Sequence, residues 1–315
     1  MTSWLGGLLA LALSLGGCAW WIRQPWTARQ TVRVDGPISH QVKAGTPTMG
    51  GVVFVIAAVL AALASGAVSG DGLAVLGLTL AMAGIGLVDD WVKVHRRQPL
   101  GLRARGKVVA GLVVATAFAL TLGSASRVIR VPLGGGIWHA PLWLFVIVVD
   151  LVVAATANGA NLTDGVDGLA AGVSMPILIF FAIAALALNN GASAAIALAL
   201  LGALIGFFVY NRHPARVMMG DTGAFGIGGA IAGLAVATGW EILLPLVAAV
   251  FVAETLSVIL QVISFRTTGR RIFRMSPLHH HFELGGWSEP RVLQRFWTAG
   301  VVAGILGTLL WGVRI

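Results

Sequence analysis

The segment from Asn158 to Gly168, which reads NGANLTDGVDG, places four polar side chains three residues apart. They are Asn158, Asn161, Asp164 and Asp167. Carboxylates at the end of an apolar segment are costly unless the protein uses them, and glycines let the backbone approach a ligand closely. The segment therefore predicts a ligand-binding or catalytic loop. The plainer alternative is an Asn/Asp-rich turn between two helices.

Further carboxylates stand at the ends of other apolar segments. Asp89 and Asp90 close one such segment, and Lys93 shares a helical face with Asp89. Asp221 opens another segment between two glycines. This position suits a hydrated Mg²⁺ carrying phosphate oxygens, because Mg²⁺ usually takes one or two protein carboxylates. The alternatives are a solvated helix end with a local ion pair for Asp89 and an N-cap for Asp221.

Basic and hydroxyl side chains stand near these groups in two other loops. Lys43 and Thr48, with nearby glycines, can hold a phosphate, although a simple turn explains them equally well. His279, His280 and His281 are consecutive, whereas a zinc-binding histidine pair prefers a spacing of three to five. The three imidazoles fit better as hydrogen-bond donors to phosphate.

Two acidic residues lie inside apolar segments. Glu254 shares one helical face with Ser257, Gln261 and Ser264, which indicates that this face meets a polar interior. Asp150 is isolated, and a structural hydrogen bond explains it better than catalysis does.

The composition excludes an ordinary soluble enzyme. Hydrophobic residues make up 57% of the 315 and charged residues only 10%, against about 25% charged in soluble domains. The single cysteine excludes a disulfide framework. The net charge of +9 reflects basic membrane loops and not a nucleic-acid partner.

Apolar segments long enough to cross a bilayer occur ten times. The predicted spans are 2–21, 50–68, 72–89, 107–125, 141–158, 169–189, 193–210, 223–240, 242–264 and 294–313. We therefore expect an all-α polytopic membrane protein with one integral membrane domain, residues 1–315. Segment 125–140 predicts a short hairpin with glycines at its turn.

The basic residues predict the orientation in the membrane. All of the 21 lysines and arginines except Arg127, Arg130 and Arg314 lie in loops on one side of the predicted spans. Such loops face the cytoplasm. Both termini and the hairpin are then periplasmic, and every acidic motif apart from the isolated groups faces the cytoplasm. Carboxylates surrounded by basic side chains are suited to phosphoryl transfer. Because these groups lie at a membrane surface, we expect one substrate to be a lipid.

Six segments in a fixed order carry a resemblance to a known family. They are KAGTPTMGG, GLVDDWVK, NGANLTDGVDGLA, NRHPARVMMGDTG, ETLSVILQ and FRMSPLHHHFE. Over essentially its whole length the chain resembles the bacterial phospho-N-acetylmuramoyl-pentapeptide transferases. These belong to the polyprenyl-phosphate N-acetylhexosamine-1-phosphate transferases, and PLHHHFE is typical of the muramoyl-pentapeptide branch.

The resemblance implies a Mg²⁺-dependent, homodimeric enzyme of the bacterial inner membrane. It would transfer phospho-MurNAc-pentapeptide from its UDP carrier to undecaprenyl phosphate, giving lipid I and UMP for peptidoglycan synthesis. It further implies Asp221 as the metal ligand, and Asp89, Asp90 and Asp164 as catalytic residues. The resemblance leaves open a direct attack or a covalent intermediate on Asp164. We favour direct attack, with Asp89 as the base. The implied substrate-binding set, with neighbours from the same motifs, is Lys43, Thr48, Lys93, Asn158, Asn161, Asp167, Asn211, Gln261, His279, His280 and His281.

Two alternatives remain open on the sequence. A related enzyme would use UDP-GlcNAc or another UDP-sugar. A secondary transporter would use Glu254 and Asp150 in an ion path, but such folds often contain internal repeats, and none is visible in the sequence.

Overall fold

A computed structural model of the chain describes residues 2–29, 43, 45–96 and 101–311. The α-helices of these residues follow in chain order. They are α1 (Ser3–Arg23), α2 (Gly50–Ala64), α3 (Gly70–Arg96), α4 (Ala104–Thr121), α5 (Leu142–Thr163), α6 (Leu169–Ala187), α7 (Gly191–Asn211), α8 (Gly220–Thr238), α9 (Leu244–Val247), α10 (Ala249–Thr268), α11 (Leu278–Glu283) and α12 (Glu289–Trp311).

Within the described residues, nine helices are long and apolar enough to cross a membrane. Helix α2 is also apolar but has only 15 residues, and it occupies the remaining predicted span. The prediction of an all-α polytopic membrane protein is therefore confirmed. Which side each terminus faces stays a prediction.

The ninth predicted span, 242–264, has different boundaries in the structure. Residues 244–247 form the short helix α9, with a proline in its first turn, where a missing N–H costs nothing. Ala248 then leaves helical geometry (φ −98°, ψ 31°), and α10 runs from Ala249 to Thr268. Hydropathy is continuous across this break, so an apolar count cannot locate it.

The predicted hairpin is present. Strands β1 (Val128–Val131) and β2 (Gly136–His139) pair antiparallel, with Val128 opposite His139. Arg130 ties the hairpin to the end of α8. Its backbone N–H donates to Gly239 O at 2.7 Å and its Nε donates to Thr238 O at 3.0 Å.

Helix α8 is the centre of the bundle, and nearly all of its residues are buried. Small residues let its backbone approach its neighbours closely, as in other membrane helix pairs. At Gly86 of α3, an added methyl group would overlap the backbone of Asp221. The close approach of α3 and α8 therefore sets the distance between the acidic groups that these two helices carry.

Candidate active site

Three carboxylates from two distant parts of the chain converge where α3 ends and α8 begins. One oxygen from each of Asp89, Asp90 and Asp221 lies within 4.8 Å of the others. Asp89 and Asp90 are buried, and the Asp221 side chain is 12% exposed. The structure thus brings the predicted catalytic pair and the predicted metal ligand together.

The two adjacent aspartates have different partners. Asp90 accepts hydrogen bonds from the backbone N–H of Asp221 (3.0 Å) and of Thr222 (2.9 Å), and from the Thr222 hydroxyl (2.7 Å). These N–H groups belong to the first turn of α8, where backbone N–H groups have no partners within their own helix. Asp90 therefore caps α8 from a neighbouring helix, and a negative charge at this position interacts favourably with the positive end of the helix dipole.

Two lysines neutralise the other two carboxylates. Lys93 Nζ lies 2.7 Å from Asp89 Oδ2 and 2.7 Å from Asp221 Oδ1. Lys107 Nζ lies 2.9 Å from Asp221 Oδ2 and 3.4 Å from Asp89 Oδ1. Leu102 N also donates to Asp89 Oδ1 at 2.7 Å. Each ammonium bridges the same two carboxylates, so the cluster is a square of alternating charge.

The donor set of this cluster suits a hard cation. Oδ2 of Asp89 is buried and, within the described part of the chain, has no well-directed hydrogen bond. Carboxylate oxygens are the ligands that such cations prefer. Asp221, with Asp89 beside it, can therefore hold a metal ion in exchange for lysine contacts, whereas the oxygens of Asp90 are engaged by α8.

Asp164 follows α5 directly, and its ionisation responds to the charges of two polar clusters. Burial raises the pKa of its carboxyl group well above the usual value, and the charges of Asp221 and Asp90 raise it further. Lys43 opposes this shift, and Asp167 adds to it. The predicted loop aspartate is thus electrostatically part of the site.

The second cluster surrounds Lys43. Its Nζ lies 2.8 Å from Asp167 Oδ1 and 2.7 Å from Glu289 Oε2. Asp167 Oδ2 accepts from Ala215 N at 3.0 Å and lies 3.1 Å from His213 Nδ1. Burial alone would lower the pKa of Lys43, but Asp167 and Glu289 outweigh it and the pKa is raised. Lys43 therefore stays charged at neutral pH.

The three consecutive histidines have different hydrogen-bond partners, but they do not all diverge, because the ring centroids of His279 and His280 lie 4.1 Å apart. His279 Nδ1 lies 3.1 Å from Glu254 Oε1, in full burial. His280 Nδ1 lies 2.7 Å from Glu283 Oε2. His281 Nδ1 accepts from the backbone N–H at position 274, at 3.1 Å. Each imidazole therefore has its own hydrogen-bond partner.

Two predicted substrate-binding amides hold loops by hydrogen bonds to backbone. Asn211 accepts from Gly168 N at 3.1 Å and donates to Val217 O at 2.9 Å. Gln261 accepts from the backbone N–H groups at positions 272 (3.0 Å) and 273 (2.9 Å) and donates to the carbonyl at position 273 (3.1 Å). In this conformation both amides bind the backbone of the loops that form the site.

The remaining predicted residues have varied surroundings. Asn158 donates to the carbonyl at position 154 within α5 at 2.7 Å, and Asn161 is half-buried in the last turn of that helix. Thr48 is buried, and its carbonyl accepts from the indole at position 21 at 3.0 Å. Asp150 accepts from Thr116 Oγ1 at 3.0 Å, which is the structural hydrogen bond that we expected.

Sequence reasoning missed Lys107, Glu289 and His213 as site residues. In the sequence, Lys107 counts only among the basic residues that predict the orientation in the membrane, although it begins an apolar segment as Asp221 does. Glu289 opens α12 and is the acidic residue of its first turn, and His213 lies in the segment NRHPARVMMGDTG. A charged residue at the border of a span is a weak signal by itself, so these three residues could be placed only by the fold.

Together, the fold and the site define a class: an integral membrane protein with a buried cluster of carboxylates and lysines at one end of its helix bundle. Residues 72–239 match the family described as Glycosyl transferase family 4. Residues 43–55 match the phospho-N-acetylmuramoyl-pentapeptide-transferase signature 1. The first match includes Asp89, Asp90 and Asp221, and the second includes Lys43 and Thr48.

Curated relatives resemble the chain over almost its whole length. Proteins named phospho-N-acetylmuramoyl-pentapeptide-transferase are 52% identical in Moorella thermoacetica, over 90% of this chain and 90% of the relative. The identity is 46% in Symbiobacterium thermophilum, over 96% and 94%, and 43% in Carboxydothermus hydrogenoformans, over 92% and 92%. The chain belongs to the phospho-N-acetylmuramoyl-pentapeptide-transferase family.

Proposed function

We propose that this protein transfers phospho-MurNAc-pentapeptide from UDP-MurNAc-pentapeptide to undecaprenyl phosphate. A phosphate oxygen of the lipid attacks the phosphorus attached to the sugar, the pyrophosphate P–O bond breaks, and UMP leaves. The product is lipid I, an intermediate of peptidoglycan synthesis. The observation that carries the proposal is the convergence of Asp89 and Asp221 with two lysines in a chain of this family.

The residues of the cluster can each take a part in this transfer. Asp89 is our choice for the base that takes the proton of the lipid phosphate, because it lies beside the metal-binding position. Lys93 and Lys107 are free to neutralise phosphate oxygens once the carboxylates bind a cation. Asp221, with Asp89 beside it, would hold Mg²⁺, which neutralises pyrophosphate charge when bound. We favour direct attack by the lipid phosphate.

We also propose the cellular setting that the sequence predicts. The protein is a single multi-pass domain of the bacterial inner membrane, with the site on the cytoplasmic side and both termini in the periplasm. The asymmetric distribution of lysine and arginine supports this orientation. The family resemblance is the support for a homodimer.

The test is UMP release by purified protein from UDP-MurNAc-pentapeptide and undecaprenyl phosphate, with Mg²⁺ and with EDTA. We expect UMP and a lipid-linked product only when both substrates and Mg²⁺ are present. A parallel reaction with UDP-GlcNAc distinguishes the related sugar-phosphate transferase. UMP release with UDP-GlcNAc and none with the muramoyl donor would contradict the proposal.

A further inference from the structure

The polar face of α10 holds the loop that carries the histidines. Gln261 binds the backbone at residues 272–273, and Ser264 Oγ donates to Arg270 O at 2.9 Å. Glu254, two turns earlier, binds His279. One helical face therefore holds the returning loop at three successive residues, and the most deeply buried of them is Glu254.

Glu254 and His279 form a completely buried pair. Both side chains are 0% exposed. Glu254 Oε1 lies 3.1 Å from His279 Nδ1, and Oε2 lies 3.4 Å from the backbone N–H of His279. A carboxylate only accepts hydrogen bonds, so this geometry places a proton on Nδ1. The pair fixes both the tautomer and the plane of the ring.

The other ring nitrogen faces the loop of Asp164. His279 Nε2 is buried and has no hydrogen-bond partner in the described part of the chain. An added methyl group at Gly165 would overlap this nitrogen. Gly165 follows Asp164 directly, so the imidazole fills the space beneath the backbone that carries that carboxyl group.

We propose that Glu254 and His279 are positioning residues that set the place of Asp164 in the site. The inference rests on the proposed transferase function. Because His279 is 0% exposed, it acts on the reaction through the backbone of residues 164–165 and does not touch a substrate in this conformation. Glu254 in turn acts through His279, as carboxylates that orient functional histidines do elsewhere.

The first part of the test is spectroscopic and needs no turnover. Protein labelled with ¹⁵N-histidine is compared with its Glu254→Gln and His279→Asn variants, the second serving to assign the His279 signals. We expect a protonated Nδ1 with a strongly downfield proton in the wild-type protein, because its acceptor is charged. That proton should move upfield in Glu254→Gln. A wild-type His279 protonated only on Nε2 would overturn the pairing.

The second part is kinetic. Glu254→Gln and Gly165→Ala should each lower kcat about tenfold to a hundredfold, the usual loss for a residue that orients a histidine. KM for both substrates should change less than about threefold, since no substrate contact is removed. The elution volume in size-exclusion chromatography and the Tm, both in detergent, establish that each variant folds.

Glu241→Gln is the matched control. It is the same change at another buried glutamate, past the far end of α8 from Asp221, and it should keep kcat. Normal kcat in folded Glu254→Gln and Gly165→Ala, or an equal loss in Glu241→Gln, would overturn the proposal. Inactive wild-type protein with the expected Nδ1 signal would instead count against the transferase function alone.

Discussion

Neighbouring residues of the same type do different work in this protein. Asp89 contacts two ammonium groups, whereas Asp90 accepts three hydrogen bonds from the start of α8. A helix places consecutive side chains about 100° apart, so the two carboxyl groups reach the cluster from different directions and bind different partners. Asp89 and Asp90 together therefore connect the charged cluster to the first turn of α8.

Asp221→Asn should abolish measurable transfer, with at least about a hundredfold loss, because the metal loses a charged ligand and both lysines lose a counter-ion. UMP release at saturating Mg²⁺ measures the effect, and Tm in detergent shows whether the protein folds. Asp150→Asn changes a carboxyl group that accepts from Thr116 and lies outside the acidic cluster, so it should keep most activity. Near-normal UMP release from folded Asp221→Asn would remove the metal assignment.

At the scale of elements, the site is assembled where loops and helix ends meet. Lys43 precedes α2, Asp167 precedes α6, His213 follows α7, and Glu289 begins α12. The ion pairs of Lys43 with Asp167 and Glu289, and the contact of His213 with Asp167, hold these four regions together. Removing one partner leaves a largely buried charge with less compensation, which costs more than the contact itself contributes.

Glu289→Gln should lower stability by roughly 2 kcal/mol, the scale of a lost hydrogen bond to a charged group. It should also lower kcat/KM, because Lys43 is left with Asp167 as its main counter-ion. Thermal unfolding in detergent and UMP release measure the two effects. Thr298→Ala, an exposed change on the same helix, is the control. Unchanged Tm and kcat/KM in Glu289→Gln would show that Lys43 does not depend on it.

Much of the fold and part of the site follow from sequence, for identifiable reasons. Long apolar segments are a strong signal in a bilayer, and the motif carboxylates at their ends mark the site. The break at Ala248 is not visible in the sequence, because hydropathy does not report backbone angles. The pairing of Lys43 with Glu289 is not visible either, because residues 246 positions apart leave no local pattern. Gln261 is found by its helical face, but its partners depend on the path of the following loop.

At the scale of the whole molecule, α8 connects two different ends of the bundle. Its first turn lies in the acidic cluster, and its last residues contact the β-hairpin. If the basic loops are cytoplasmic, the hairpin lies outside the cytoplasmic membrane. The orientation of the molecule is therefore testable at the hairpin and at a basic loop.

We expect Leu133→Cys in the hairpin to react with a membrane-impermeant maleimide applied to whole cells with a permeable outer membrane. Arg271→Cys, in the loop after α10, should react only after the inner membrane is opened. Both positions are exposed, and both changes are made with Cys18→Ser, which removes the buried native thiol. The reverse labelling pattern would invert the proposed topology.

Glu241, beyond the end of α8, should make stability depend on pH. Burial raises its pKa from 4.5 to about 8, although its own backbone N–H and Arg130 act in the opposite direction. The folded state therefore holds a proton that the unfolded state releases. Stability from this group is complete below about pH 4.5 and is lost as pH rises to about 8. Tm should fall less over this range in Glu241→Gln than in the wild-type protein, and parallel curves would contradict the shift.

The engaged amides of Asn211 and Gln261 have a consequence for inhibitor design. A compound that reaches for either amide competes with existing hydrogen bonds to loop backbone, and only the N–H or lone pair that those bonds leave open can add net affinity. The His213 side chain is 40% exposed, and a ligand can stack on or bond to its open part without displacing loop backbone. Medicinal chemistry on this scaffold would begin at that imidazole and extend toward the ammonium group of Lys43.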